Sequence, residues 1–277
     1  MDLVGVAAPG SVWLAPRAVA EKTMPASPID LSRALGVARD AVAAAGAAAL
    51  AHLRRGVVVE TKPDLSPVTA ADRAAEDEII AVIRAAFPDH AILGEEGGAR
   101  GGGAVRWIVD PIDGTRGFAR GGMMWGPMVA LEADGELVVG ALALPALGRT
   151  YWAARGAGAW RDGTRLAVSA IADLADATLS VGELRRMATH PGIQGLIARA
   201  ASTRCYGDLA GCAMVLDGRA EVWIEGGVQP WDVAAPAILI REAGGRYTDW
   251  SGGPSFESGY AIASNGLVHD EIVRAMA

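Results

Sequence analysis

The stretch WIVDPIDGTRGF, Trp107 to Phe118, sets two aspartates three positions apart around a proline and follows them at once with a glycine and a threonine. Pro111 biases Asp110 toward extended backbone, and Gly114 permits a geometry other residues resist. The run therefore reads as a strand ending in a sharp turn, with both carboxylates able to face one spot. Two carboxylates held together repel unless a proton or a cation lies between them. Hard oxygen ligands without a neighbouring histidine suit Mg2+ better than zinc, and His52, His90, His190 and His269 are scattered without ligand spacing. Further acids stand at similar points of punctuation: Glu95 ends AILGE, Asp232 follows Trp231 at a helix start, and Asp64 lies in KPDLSPVTAAD. Each alone has an ordinary role, Asp72 and Asp232 as helix-start acids and Glu96 as a solvated one. Together they are far more specific.

These acids must be held by elements that the chain punctuates clearly. Ser27, Pro28 and Asp30 of SPID head an alanine-rich helix that stops at Gly56. A second helix runs from Thr69, with Asp72 three residues on, to the Phe87-Pro88 break. AILGEE and VRWIVD read as short buried strands separated by a flexible GGARGGG, Gly97 to Gly103. A strand-rich middle follows, with Asp134-Gly135 and Asp162-Gly163 marking hairpins between MVALEA, LVVGALAL, TYWAA and RLAV. The second half alternates: ATLSV, a helix from Ile193 to Ala201, a helix after Gly207, AEVWIE, a helix from Asp232 to Ala243, RYTDW, YAIAS and a terminal helix. Stacked layers of helices and mainly antiparallel sheets are expected, not a simple doubly wound sheet.

Of the 277 residues, 51% are hydrophobic, enough for a sizeable core. Residues 1–26 carry glycine and proline without sustained periodicity and read as a flexible extension; Met24 could itself be a start. Residues 27–277 read as one domain of two closely packed halves, about 27–170 and 171–277. A net charge of -7 without a Lys/Arg cluster argues against nucleic acid and anionic membranes as partners. The most apolar run, Ala41 to Ala51, is shorter than the roughly 20 residues a bilayer needs. The N-terminus lacks the basic n-region of a secretory signal, so a cytoplasmic protein is expected. Cys205 and Cys212 read as small buried thiols. Met123, Met124 and Trp125 suit either a site rim or the core.

GEE at Gly94 to Glu96, DPIDGT at Asp110 to Thr115 and WDVAAPAILIREAGG at Trp231 to Gly245 occur in the order found in inositol-monophosphatase-like phosphatases. The chain resembles that family from about residue 30 to the end. The resemblance implies an α+β fold, a layered αβαβα sandwich of the inositol monophosphatase and fructose-1,6-bisphosphatase type. It also implies Mg2+-dependent hydrolysis of a small phosphate monoester, with two or three ions per site, and a homodimer. By motif position, Glu95, Asp110 and the Ile112 carbonyl hold the first metal, and Asp110, Asp113 and Asp232 hold the second, with Asp110 bridging. Thr115, hydrogen-bonded toward Asp64, helps to orient and activate the attacking water together with Glu95. The amides of Gly114 and Thr115 cradle the phosphate.

RCYGD at Arg204 to Asp208, followed by WIEGGVQPWDVAAPAILIREAGGRYTDWSG, is similar to bacterial histidinol-phosphate phosphatases. The resemblance places Glu225 against the leaving group and Arg204 and Asp208 at the substrate. A carboxylate at Asp208 favours a substrate with an ammonium over an uncharged polyol; its ordinary alternative is a helix N-cap. Histidinol phosphate is the expected substrate, with inositol 1-phosphate or a related sugar or nucleotide phosphate as the alternative. A non-catalytic binding protein is a remote third, because every ligand position is filled. Neither GGARGGG nor RGAGAW matches a dinucleotide-binding fingerprint.

Overall fold

The computed structural model of the chain describes residues 29–61 and 67–276, so the expected N-terminal extension, Ser27 and Asp64 lie outside the described residues. Helix α1 (Leu31–Arg55) begins where the Asp30 carboxylate accepts the Arg33 N–H at 3.0 Å, and it ends at Gly56, whose φ of 92° suits glycine. Ala34, Ala38, Ala41, Val42, Ala45 and Ala49 form one buried stripe at helical spacing. Their small side chains let α1 lie close against α2 (Ala70–Ala86), which answers with Ala71, Ala75, Ile79 and Ile83. By length and composition α1 could cross a membrane, but its alanine face packs on α2 and a sheet, as a core helix does. Helix α2 opens with a capping box: Asp72 accepts the Thr69 N–H at 2.7 Å, and Thr69 Oγ1 accepts the Ala71 N–H at 3.0 Å.

Strands β1 (Val59–Thr61) and β2 (Pro67–Thr69) pair as a ribbon. An eight-stranded sheet contains β3 (Ala91–Gly94), β4 (Gly98–Arg100), β5 (Val105–Asp113), β6 (Gly126–Ala133), β7 (Glu136–Leu144), β8 (Arg149–Ala154), β9 (Gly158–Arg161) and β10 (Thr164–Arg165). Its order is β10-β9-β8-β7-β6-β5-β3-β4, antiparallel except where β3 meets β5. A five-stranded sheet runs β12 (Ser202–Arg204), β11 (Thr178–Val181), β13 (Val222–Gly226), β15 (Tyr260–Ser264), β14 (Arg246–Thr248), and β11 is parallel to both β12 and β13. Helices α3 (Thr115–Phe118) and α4 (Leu184–Met187) are single turns; α5 (Pro191–Arg199), α6 (Asp208–Leu216), α7 (Pro230–Glu242) and α8 (His269–Met276) are longer.

The layers follow from which faces are apolar. Helices α1 and α2 cover one face of the large sheet. Helices α6 and α7 fill the space between the two sheets, and α5 and α8 close the outer face of the small sheet. This is the expected αβαβα sandwich. Helix α7 is apolar all round, with Val233 to Ile240 buried, because it has a sheet on either side.

Several local expectations are corrected. The glycine-rich Gly97 to Gly103 is not a plain spacer, since Gly98–Arg100 pairs with β3 as β4. The RLAV strand shrinks to Thr164–Arg165, and α7 starts at Pro230, two residues before Asp232. Cys205 is exposed while Cys212 is buried. Trp125 belongs to the core, edge-on to Phe118 at 4.7 Å, whereas Met123 and Met124 are exposed.

His269 is fully buried, its ring nitrogens 2.9 Å from Thr248 Oγ1 and 2.8 Å from Ser264 Oγ. Burial lowers its pKa to about 4, with Arg246 adding to the effect. The unfolded chain then binds the extra proton more readily than the fold, so His269 costs stability as pH falls from about 6.5 toward 4, by up to about 3 kcal/mol. His269→Gln should flatten that limb; urea midpoints of both proteins between pH 4 and 7, with Mg2+ saturating, measure it.

Candidate metal centre

Strand β5 aims its acids by a register change. Ile108 faces the inter-sheet core and Val109 the α1/α2 core, so Asp110 points toward α6 and α7. A regular strand would turn Asp113 to the opposite face. Instead Asp110 pairs with Met128 and Asp113 with Gly126, three residues against two, and the extra residue brings both carboxylates to one side. The strand thus continues past Asp110, where VRWIVD ends, through Pro111 to Asp113, and the expected sharp turn comes at Gly114. The Ile112 N–H donates to Asp110 Oδ1 at 3.0 Å, and Gly114, at φ 79°, turns the chain into α3.

Asp232 arrives from the other side of the cleft, on the first turn of α7, where it accepts the Gln229 N–H at 2.7 Å. One carboxylate oxygen each from Asp110, Asp113 and Asp232 lie within 4.8 Å of one another. Asp110 and Asp113 are buried. Burial, then Glu95, Asp113 and Asp232, holds the Asp110 pKa far above the usual carboxylate range. Burial, then Asp208 and Asp232, does the same to Asp113. Such a set fits a hard divalent cation, which would remove the repulsion that protons must otherwise relieve.

Glu95 follows β3 in the turn to β4 and lines the same cleft as Asp232, a cavity of about 1390 Å³. That turn is held from below: the buried Glu76 of α2 accepts the N–H groups of Glu96 and Gly97 at 2.8 Å each. Thr115 Oγ1 lies 2.9 Å from the Ile112 carbonyl and 3.2 Å from Asp72 Oδ1. The expected partner Asp64 is outside the described residues, and the described carboxylate partner is Asp72.

Asp208 and Glu225 stand behind Asp113. Glu225 is buried on β13, where Oε1 accepts the Asp208 N–H at 3.0 Å and the Trp223 indole N–H at 3.1 Å. Burial and then Asp208 push its pKa up to about 8. A Cβ on Gly182 would overlap the Glu225 carboxylate. Asp208 is not the N-cap of α6; that is Gly207, and Asp208 takes an uncommon φ of 55° that Asp tolerates better than most residues. The next residue, Leu209, donates its N–H to Asp113 Oδ2. Gly114 lies close by, since a Cβ there would be 3.4 Å from Asp208 Oδ2. Arg204 is elsewhere: exposed at the end of β12, it donates to Ser202 Oγ at 2.6 Å and the Thr203 carbonyl at 2.9 Å.

Sequence reasoning missed Glu76 and gave Asp72 only a helix-start role. Asp72 performs that role with one oxygen and meets Thr115 with the other. Nothing in the local pattern marks Glu76, although an acid on the apolar stripe of α2, three residues before Ile79, is an anomaly that could have flagged it.

Two outcomes follow for the purified protein. Metal-free Asp113→Asn should melt a few degrees above metal-free wild type, because one repelling charge is gone, and should lose the rise in Tm that Mg2+ produces in wild type. Glu76→Ala should raise the Mg2+ concentration for half-maximal stabilisation by about tenfold, since the Glu95 turn loses its support. Thermal melts across a Mg2+ titration test both.

Comparison with known proteins identifies the family. The match to the inositol monophosphatase family spans residues 30–277. The chain is 43% identical over 225 residues to a histidinol-phosphatase of Mycobacterium tuberculosis, covering 78% of this chain and 86% of the relative. It is 40% identical to a histidinol-phosphatase of Streptomyces coelicolor over 78% of this chain and 85% of that one. Among solved structures, the inositol monophosphatase from Anabaena superposes with a TM-score of 0.80 at 32% identity, covering 90% of this chain and 96% of that chain. The chain therefore belongs to the inositol monophosphatase family and is a phosphoric monoester hydrolase.

Proposed function

We propose that this protein hydrolyses histidinol phosphate to histidinol and inorganic phosphate, a step of histidine biosynthesis, with Mg2+ as cofactor. The observation that carries this choice of ester is the carboxylate wall of Asp208 and Glu225 behind Asp113. A substrate ammonium would find charge-assisted partners there, while the hydroxyls of a polyol would leave the acids without a cation. The 43% and 40% identities to proteins named histidinol-phosphatase support the same ester.

Glu95, Asp110 and the Ile112 carbonyl would hold one Mg2+, and Asp110, Asp113 and Asp232 a second; a third ion is compatible with the family resemblance. Bound Mg2+ supplies Lewis acidity toward the phosphoryl oxygens and the leaving alkoxide. The chain's own groups do the rest. The N–H groups of Gly114 and Thr115 hold phosphoryl oxygens. Thr115 Oγ1, positioned by Asp72 and the Ile112 carbonyl, orients the attacking water, whose proton passes toward Glu95 as the new P–O bond forms. The ester P–O bond breaks on the far side of phosphorus, the departing oxygen takes a proton from solvent water, and the alcohol leaves past Asp208 and Glu225. Arg204 would join only as a support of the loop before Gly207. A cytoplasmic location and a homodimer accompany this proposal.

Phosphate release tests it. After EDTA treatment the protein should be inactive, and Mg2+ should restore it. With histidinol phosphate kcat/KM should exceed that with inositol 1-phosphate by at least about tenfold, the worth of one charge-assisted bond. A clear preference for inositol 1-phosphate would refute the assignment.

A further inference from the structure

The cleft that carries Glu95 and Asp232 also carries three arginines. Arg116 on α3 and Arg185 and Arg186 on α4 line the same cavity, and all three are exposed. Arg116 follows β5 of the large sheet, whereas α4 follows β11 of the small one, so the cations come from two layers of the sandwich.

No described carboxylate pairs with them. Elsewhere on the sheets arginines meet acids: Arg106 meets Glu132 and Glu257, and Arg161 meets Asp217. The side chains of Arg116 and Arg185 make no hydrogen bond or ion pair with a described residue, although Glu95, Glu183 and Asp232 line the same cleft. Arg186 donates to a neutral acceptor, the Gly227 carbonyl, from Nη1 at 3.3 Å. A Cβ on Gly227 would run into that guanidinium nitrogen, and the bare backbone at φ 77° leaves it room. Gly227 lies between β13 and α7, so Arg186 rests on the segment that leads to Asp232.

The charges of the centre leave such groups a task. Two divalent cations would only balance the carboxylates of Glu95, Asp110, Asp113 and Asp232, and Asp208 and Glu225 stand close behind. The whole chain carries a formal charge of -7. A phosphate dianion would therefore be attracted at contact with the metals but hardly at a distance. Arginines without acid partners at the mouth supply the attraction at range, and their planar guanidinium groups match phosphate oxygens.

We propose that Arg116, Arg185 and Arg186 form a cationic collar that captures the phosphate dianion at the mouth of the cleft and passes it to the metal centre. Glu183 offsets one of these charges and leaves the collar net positive. The role is one of positioning, with no part in breaking the P–O bond. The inference rests on hydrolysis of a phosphate monoester and not on the choice of histidinol phosphate, since every candidate ester presents the same group.

Calorimetry with inorganic phosphate on the Mg2+-saturated protein tests the collar. This probe is the product of every candidate ester, so a preference for one ester over another does not bear on the result. At about 10 mM salt, where charges act over about 30 Å, Arg116→Gln/Arg185→Gln should bind phosphate about tenfold more weakly than wild type. At about 1 M salt, where that range falls to about 3 Å, the two proteins should bind nearly alike. Arg116→Lys/Arg185→Lys keeps both charges and should retain most of the low-salt affinity. Arg165→Gln/Arg219→Gln removes as much charge from β10, at the far edge of the large sheet, and from the segment before β13; it should bind as wild type does. Undiminished low-salt affinity in the Gln variant would overturn the proposal. So would a loss that persists at high salt, a Lys variant as weak as the Gln variant, or an equal loss in the distant pair.

Discussion

Mutual repulsion among Asp110, Asp113 and Asp232 is the constraint around which this molecule is built. Their oxygens lie within 4.8 Å of one another. At an effective dielectric constant of about 20, each ionised pair at that separation costs roughly 3.5 kcal/mol, about 10 kcal/mol for the three. That equals the whole stability of an ordinary domain. A fold can hold such a site only if the acids stay partly protonated or a multivalent cation joins them, and only if the backbone is too stiff to spread.

The stiffness comes from layers that meet at one place. The bulge in β5 turns two acids to the same face, and the sheet on either side prevents that strand from yielding. Helix α7 delivers the third acid from within its first turn, clamped between two sheets. Helix α6 lends the Leu209 N–H to Asp113. Helix α2 supplies Asp72 to Thr115 and Glu76 to the turn carrying Glu95. No single element makes the centre; it needs β5, α2, α6 and α7 together.

The same layering separates the tasks of the site. In the proposed reaction the β5 side would carry the groups that handle phosphate, and the small sheet the groups that meet the rest of the substrate. Strand alternation on β13 places Val222 and Ile224 in the outer core with α5 and α8, while Trp223 and Glu225 face inward.

Much of this was legible in the chain. The acids of DPIDG, GEE and WD carry their chemistry in their residue types, and Thr69, Asp72 and Gly56 mark helix ends by local bonding that needs no partner element. Stacked layers of helices and sheets followed from the order of apolar runs, and the αβαβα arrangement from the family resemblance. Local pattern could not show that Pro111 lies inside a bulged strand, because the bulge exists only against β6. It could not place Arg204, whose edge strand is defined by pairing with β11, nor expose Cys205 in the loop after it. It missed Glu76, whose partners are 20 and 21 residues away. Residue type and short-range hydrogen bonding determine which groups are present and where elements begin. Which face each group meets depends on long-range pairing, and that free energy is realised only when the two sheets and their helices close around α6 and α7.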